Sequence, residues 1–367
     1  MLVDPHPEPA RPGPPAARVV VFAPNWLGDA VMALPALAGI RAHVARDASV
    51  LAVAARAGLA PLFTALPQVD EVVVLGAHGG VRALAGIGRE VREVAAGRFD
   101  LAILLPNSFR SAWIARRAGV PERWGYAADL RGRLLTRAVR RPSGRCHQAE
   151  YYRQLVERLG IVPGPLEVHV AVPPEARARA DLLLAEHGLD SDTAIVAMAP
   201  GAAYGRAKRW PPRRFAELAV RLAGELAAAS VLVGAGKDRD AGRDIERELP
   251  RAVRRTGGGR ATVVNLIGKT DLPLLLAVLA RCRAAVSNDS GAMHLAAAVG
   301  VPVTAIFGAS DERGTAPLPG GPGTRPPEIV TNPVWCRPCM LRECPLDHRC
   351  MTGISAERVM QAIRRIW

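Results

Sequence analysis

The stretch AAVSNDSGAMHLAAAVGVPVTAIF, Ala284 to Phe307, decides how this chain is built. AAVSN (284–288) and PVTAIF (302–307) are short apolar runs of the kind that form strands buried on both faces. Between them MHLAAAVG is made of small residues and good helix formers. A buried strand, a helix and a second buried strand form one turn of parallel βα winding. At the first junction stand Asn288, Asp289 and Ser290, all good helix N-caps, followed by Gly291, which lets a ligand approach the backbone, and His294 on the first helical turn. In open α/β sheets the strand ends that lead into helices are where ligands bind.

The same alternation runs outward in both directions. RVVVFA (18–23), VLAVA (50–54), EVVVL (71–75) and DLAILL (100–105) read as strands, with helical spacing over 79–97 and 108–118. After a proline-rich break at Val162–Pro165 and Pro173–Pro174, TAIVAMA (193–199), SVLVGA (230–235) and TVVNLI (262–267) lead into the opening stretch. The expected fold is therefore α/β, two Rossmann-like domains facing a cleft. The expected organisation is a disordered Pro-rich leader (1–17), a first domain (18–170), a second domain (171–352) and a C-terminal helix (353–367) packing back on the first domain. A hinge is expected near Leu166–Glu175.

At 367 residues the chain is long enough for two cores. Its apolar runs fall short of a membrane span, and its start lacks the apolar segment of a secretory signal. Six cysteines without such a signal fit a reducing cytoplasm. The net charge of +14 fits an anionic partner, a nucleic acid, anionic lipid or phosphorylated ligand, or merely solvated helix faces. A basic nucleic-acid-binding module is the alternative from a different class. Against it stands the 4% aromatic content, which leaves little for base stacking.

Two further strand ends carry chemistry. In APNWLGDAVMALPAL (23–37), Asp29 is either an N-cap or a general base, and Pro35 predicts a kink or a fresh helix start. In APGAAYGRAKRWPPRRFAELAVRL (199–222), Lys208 and Arg209 precede a helix that starts at Pro211–Pro212, where a polyphosphate would meet cations and free amides. Trp210 reads as a packing anchor.

WLGDAVM, PGAAYGRAKRWP and SNDSGAMHLAAAVGVPVTAIFGASD, in this order and at these strand ends, resemble the ADP-heptose:lipopolysaccharide heptosyltransferases, most closely heptosyltransferase II. HQAEYYRQLVERLG (147–160) and CRPCMLRECPLDHRC (336–350) are similar to family segments as well. The resemblance implies a GT-B fold and inverting transfer of L-glycero-D-manno-heptose from its ADP donor to the heptose/Kdo inner core. It places the enzyme in the cytoplasm, peripheral to the inner leaflet of the inner membrane. It implies Asp29 as catalytic base and Lys208 as phosphate binder. Donor contacts fall on Ala203, Tyr204, Lys208, Asp238, Thr270, Asp289, Ser290, Gly291 and His294, and acceptor contacts on Asn25, Trp26, Gly28, His147 and Tyr151. Ala203 stands where the family has an acid. No cofactor is implied. Heptosyltransferase I or III, or another GT-B transferase with a different nucleotide sugar, are the alternatives within the class.

Two other features stand out. Arg116, Arg117, Arg131, Arg133, Arg137, Arg140 and Arg141 crowd the segment 110–145, as a solvated face or as a surface for anionic lipid and the acceptor's acidic groups. Cys336, Cys339, Cys344 and Cys350, with His348, have zinc-compatible spacing. The resemblance implies no metal there, and a reduced structural loop is the preferred reading.

Overall fold

The computed structural model describes residues 18–44, 49–76, 83–259, 261–321 and 323–367. The expected leader, and the start of the helical pattern at 79–82, lie outside the described residues. The chain divides into two compact units between Leu166 and Glu167, a few residues before the boundary expected from the sequence.

The first unit is a sheet of six parallel strands: β1 (Arg18–Phe22), β2 (Val50–Arg56), β3 (Glu71–Leu75), β4 (Leu101–Leu104), β5 (Glu122–Tyr126) and β6 (Arg137–Val139). Their spatial order is β3-β2-β1-β4-β5-β6. The central strand β1 pairs Val19 with both Leu51 and Leu101, and Val19, Val20 and Val21 are fully buried. Helices cover both faces, so an unbroken valine run is the pattern expected for such a position. Removing any of these side chains from water contributes about 1.5–3 kcal/mol.

The second unit repeats the plan with β7 (Ile195–Ala199), β8 (Ala229–Leu232), β9 (Val263–Asn265), β10 (Ala284–Asn288), β11 (Val303–Phe307) and β12 (Glu328–Thr331). Its order, β12-β11-β10-β7-β8-β9, is also wholly parallel. In each unit the winding reverses direction beside the first strand, between β1 and β4 and between β7 and β10. The crevice beyond such a reversal is where doubly wound sheets hold ligands.

Several local expectations change. Strands β5, β6 and β12 were not read from the sequence, because ERWGY, RAV and EIVT lack a continuous apolar run. Asp29 is not an N-cap: Trp26 caps the helix Leu27–Met32, and Asp29 lies within its first turn. A second helix starts at Leu34 with Pro35 in its first turn, where the fixed φ and missing N–H are tolerated. The C-terminal helix Ala356–Ile366, expected from the sequence as a separate segment, belongs to the second unit. Val359, Met360 and Ile363 complete the core of the second unit, and the helix lies against the helix Pro212–Leu226 and strands β11 and β12.

Candidate functional site

The reversal point of the second unit gathers the donor candidates. The Asn288 side chain at the end of β10 donates to the Pro200 carbonyl at 2.7 Å and accepts from the Trp210 amide at 3.1 Å. It therefore ties down both ends of the loop that carries Lys208. Trp210 is the anchor expected: it is buried, its ring meets Phe215 edge-on, and its Nε1 donates to the Ile354 carbonyl at 2.9 Å.

From this clamped loop the Lys208 ammonium reaches the next residue of the β10 end. Lys208 Nζ lies 2.5 Å from Asp289 Oδ2, and the Ser310 hydroxyl donates to the same oxygen at 2.6 Å. Both charged side chains are largely shielded from solvent, so the attraction is little screened. Ser290 caps the helix Gly291–Ala298 with extended backbone and without a side-chain cap bond; its hydroxyl instead meets Ser287 Oγ at 3.0 Å. His294 is buried one turn further on.

Tyr204 leans over the loop. Lys208 Nζ lies 5.1 Å from its ring centroid, a cation–π distance, and its hydroxyl donates to the Met340 carbonyl at 3.3 Å. The Ala207 amide donates to the Arg342 carbonyl at 3.0 Å, and a Cβ on Gly205 would stand 2.2 Å from that same oxygen. The cysteine-rich segment thus forms the outer wall of the Lys208 loop. Ala203 is exposed. Asp238, buried after β8, faces Arg209 at 3.5 Å and packs so closely on Gly201 that a Cβ there would lie 2.4 Å from its carboxyl group. Thr270 is half-buried beyond β9, two residues after Gly268, which abuts Gly236 of the β8 loop.

In the first unit the β1 end leads through exposed Asn25 and Trp26 and half-buried Gly28 to half-buried Asp29. Tyr152 lies behind it: burial first, and then the charge of Asp29, push its phenol well above the ordinary range. His147 caps the helix Gln148–Arg158, its Nδ1 accepting from the Ala149 amide at 3.2 Å. Tyr151 packs its ring on Tyr126 and exchanges hydrogen bonds with the Asn107 side chain at 2.9 and 3.2 Å. Asn107 sits at the end of β4, across the reversal point from Asp29's strand.

Sequence reasoning missed Asn107, Ser310 and the clamping role of Asn288, although the strand-end rule points to all three. It also misplaced Arg131 on a charged surface. Arg131 is fully buried and donates to the carbonyls of Tyr126 and Pro106 and to Ser111 Oγ. Burial pulls its pKa down to about 10. Arg137 stacks on Trp124, while Arg116, Arg117, Arg133, Arg140 and Arg141 remain exposed.

Chemically, the second unit offers an ammonium group and helix-start amides at one strand-end crevice, a combination that suits a diphosphate. The first unit offers a carboxylate able to take a proton.

The comparisons with known proteins identify the family and the fold. The model of glycosyltransferase family 9 (heptosyltransferase) matches residues 87–349. The lipopolysaccharide heptosyltransferase 2 of Salmonella typhimurium is 31% identical over 315 residues, covering 82% of this chain and 85% of that protein. Among solved structures, E. coli ADP-heptose lps heptosyltransferase II matches with a TM-score of 0.76 at 27% identity, over 95% of this chain and 98% of that one. A family 9 glycosyl transferase from Veillonella parvula shares the fold with a TM-score of 0.77 at 24% identity, over 95% and 97% of the two chains. The two parallel six-stranded α/β units are those of GT-B heptosyltransferases, and the chain belongs to glycosyltransferase family 9, the heptosyltransferases.

Proposed function

We propose that this enzyme transfers L-glycero-D-manno-heptose from ADP-heptose, with inversion, to the heptose/Kdo inner core of lipopolysaccharide, as a heptosyltransferase II. The observation that carries the reading is the Lys208 ammonium held at the β10 end, beside the start of the helix Gly291–Ala298. The lipopolysaccharide and ADP-heptose enzymes it resembles suggest the donor and the acceptor class.

An acceptor hydroxyl is a weak nucleophile at neutral pH, so its proton leaves as the new bond to the anomeric carbon forms. Asp29 is the proposed base. As the glycosidic bond to ADP breaks, negative charge builds on the departing diphosphate, and Lys208 with the amides near Ser290 and Gly291 stabilises it. Asp289 orients the ammonium and, once a diphosphate engages Lys208, is placed to accept from sugar hydroxyls. Asp238 and Thr270 are assigned to the adenosine side, and Asn25, Trp26, Gly28 and Tyr151 to the acceptor. His147 is assigned to the acceptor region through the helix it caps.

The exposed arginines of the 110–145 segment are assigned to anionic lipid and to the acceptor's phosphates and carboxylates, with the enzyme peripheral to the inner leaflet. Among the described residues no helix is long and apolar enough to cross a membrane. Co-sedimentation with anionic vesicles at rising salt tests this assignment; absence of binding at low salt removes it.

The deciding experiment combines purified protein, ADP-heptose and core acceptors with no heptose or one, with mass spectrometry of the products. Addition of one heptose to the one-heptose acceptor alone supports the reading. Transfer to the heptose-free acceptor indicates heptosyltransferase I, and turnover only with another nucleotide sugar overturns the donor.

A further inference from the structure

The proposed transfer mechanism assigns no chemical step to the cysteine-rich segment, yet four of the six cysteines stand there. Residues 332–348 contain no helix or strand, a long irregular stretch for a compact unit. Cys336, Cys339, Cys344 and Cys350 all line one cavity there, together with Arg337 and Arg349. The cavity has a volume of about 20 Å³, room for a single small occupant. Cys350 Sγ lies at its inner side, close to Gly308 at the end of β11. His348, in the same segment, has a buried Nε2 with no hydrogen-bond partner.

We propose that these four cysteines bind one thiolate-preferring divalent metal ion, zinc by the chemistry of the donors, and that the ion fixes the segment that walls the Lys208 loop. Four sulfurs in a C-x₂-C-x₄-C-x₅-C arrangement match the tetrahedral preference of such ions. Among the described residues no three such side chains stand close enough to hold an ion as they are, so the cysteines rotate into the cavity on binding. Binding releases the thiol protons. Four thiolates on a dication leave two net negative charges beside the guanidinium groups of Arg337 and Arg349, which also pair with Glu312 and Asp347. The consequence reaches the donor loop because the Met340 and Arg342 carbonyls, inside this segment, hold Tyr204 and Ala207.

The test is metal content, a readout independent of heptose transfer, so its failure and that of the proposed function are distinguishable. The protein is produced in medium containing zinc and iron, purified reduced without chelators, and measured by elemental analysis. The expected result is about one metal ion per chain, reduced more than about tenfold in the C336S/C339S variant and unchanged in C146S. Iron in place of zinc supports the site and corrects the ion. Because a serine variant can fail to fold, the parent protein is also stripped with chelator and titrated with Co²⁺. Thiolate-to-cobalt charge transfer with tetrahedral ligand-field bands is expected. Less than about 0.1 ion per chain together with absence of these bands, or metal retained in C336S/C339S, overturns the proposal.

Discussion

Lys208 Nζ and Asp289 Oδ2 stand 2.5 Å apart, and Ser310 donates to the same carboxylate oxygen. The cation assigned to the leaving group is thus held in place before any ligand arrives. A diphosphate does not have to order a free lysine; it has only to draw the ammonium part-way from its partner. This geometry lowers the ordering cost of binding at the expense of some of the raw attraction.

Lys208→Ala leaves Asp289 shielded, with Ser310 as its remaining side-chain partner among the described residues. We expect a stability loss of about 3 kcal/mol, within the range for breaking a buried pair. Catalysis should fall by more than about 10²-fold, the effect of removing a group that stabilises transition-state charge. Because the two charges are coupled, K208A/D289A should be more stable than the sum of the single losses predicts. Urea unfolding of the four proteins measures the coupling, and strict additivity would contradict it.

Asp29→Asn should lower kcat by about 10²–10⁴-fold while donor binding stays near the parent value. Asp29 lies in the first turn of its helix, where its charge favours the dipole, so the stability cost should be only about 0.5 kcal/mol. Single-turnover kinetics with calorimetric titration of ADP separates the two effects. An Asp29→Asn enzyme of near-parent turnover would remove the assigned base.

Much of this arrangement is visible in the chain itself, and the missed parts have separate physical causes. Strands such as RVVVF and AAVSN lie centrally, are covered on both faces and must be apolar throughout. The edge strands β6 and β12 have one neighbour and tolerate polar residues, so RAV and EIVT carry no distinct pattern. Arg131 was lost in a run of arginines because composition cannot show which one folds inward onto the carbonyls of Tyr126 and Pro106 and the Ser111 hydroxyl. Lys208 and Asp289 were each legible as strand-end residues. Their pairing, and the approach of Ser310, depend on sheet order, which brings together residues 81 and 21 positions apart in sequence.

Gly205→Ala tests whether the outer wall positions the Lys208 loop. A methyl group there would meet the Arg342 backbone carbonyl at 2.2 Å, so either the loop or the cysteine-rich segment must shift. Since Arg342 also accepts from Ala207, the shift reaches Lys208 directly. We expect ADP affinity to fall about tenfold, or about 1.4 kcal/mol, in calorimetric titration. Gly224→Ala, where the added methyl meets nothing within 4 Å, should leave it unchanged.

The phenols of Tyr126 and Tyr152 make the first unit sensitive to alkali. Burial is the main cause that raises both above their usual value of 10.0. The unfolded chain therefore releases these protons first as pH climbs, and it binds fewer protons than the folded chain. Stability is intact below pH 10 and declines as pH rises toward the folded values, by about 1.4 kcal/mol per pH unit for each phenol. Tyr152→Phe removes one of the two. The difference between parent and variant in urea unfolding should then change by about 1.4 kcal/mol per unit above pH 10 and stay constant below it. A difference that is flat across that range would show that the Tyr152 hydroxyl titrates in the folded protein as it does in the unfolded one, and so lies outside the buried environment behind Asp29.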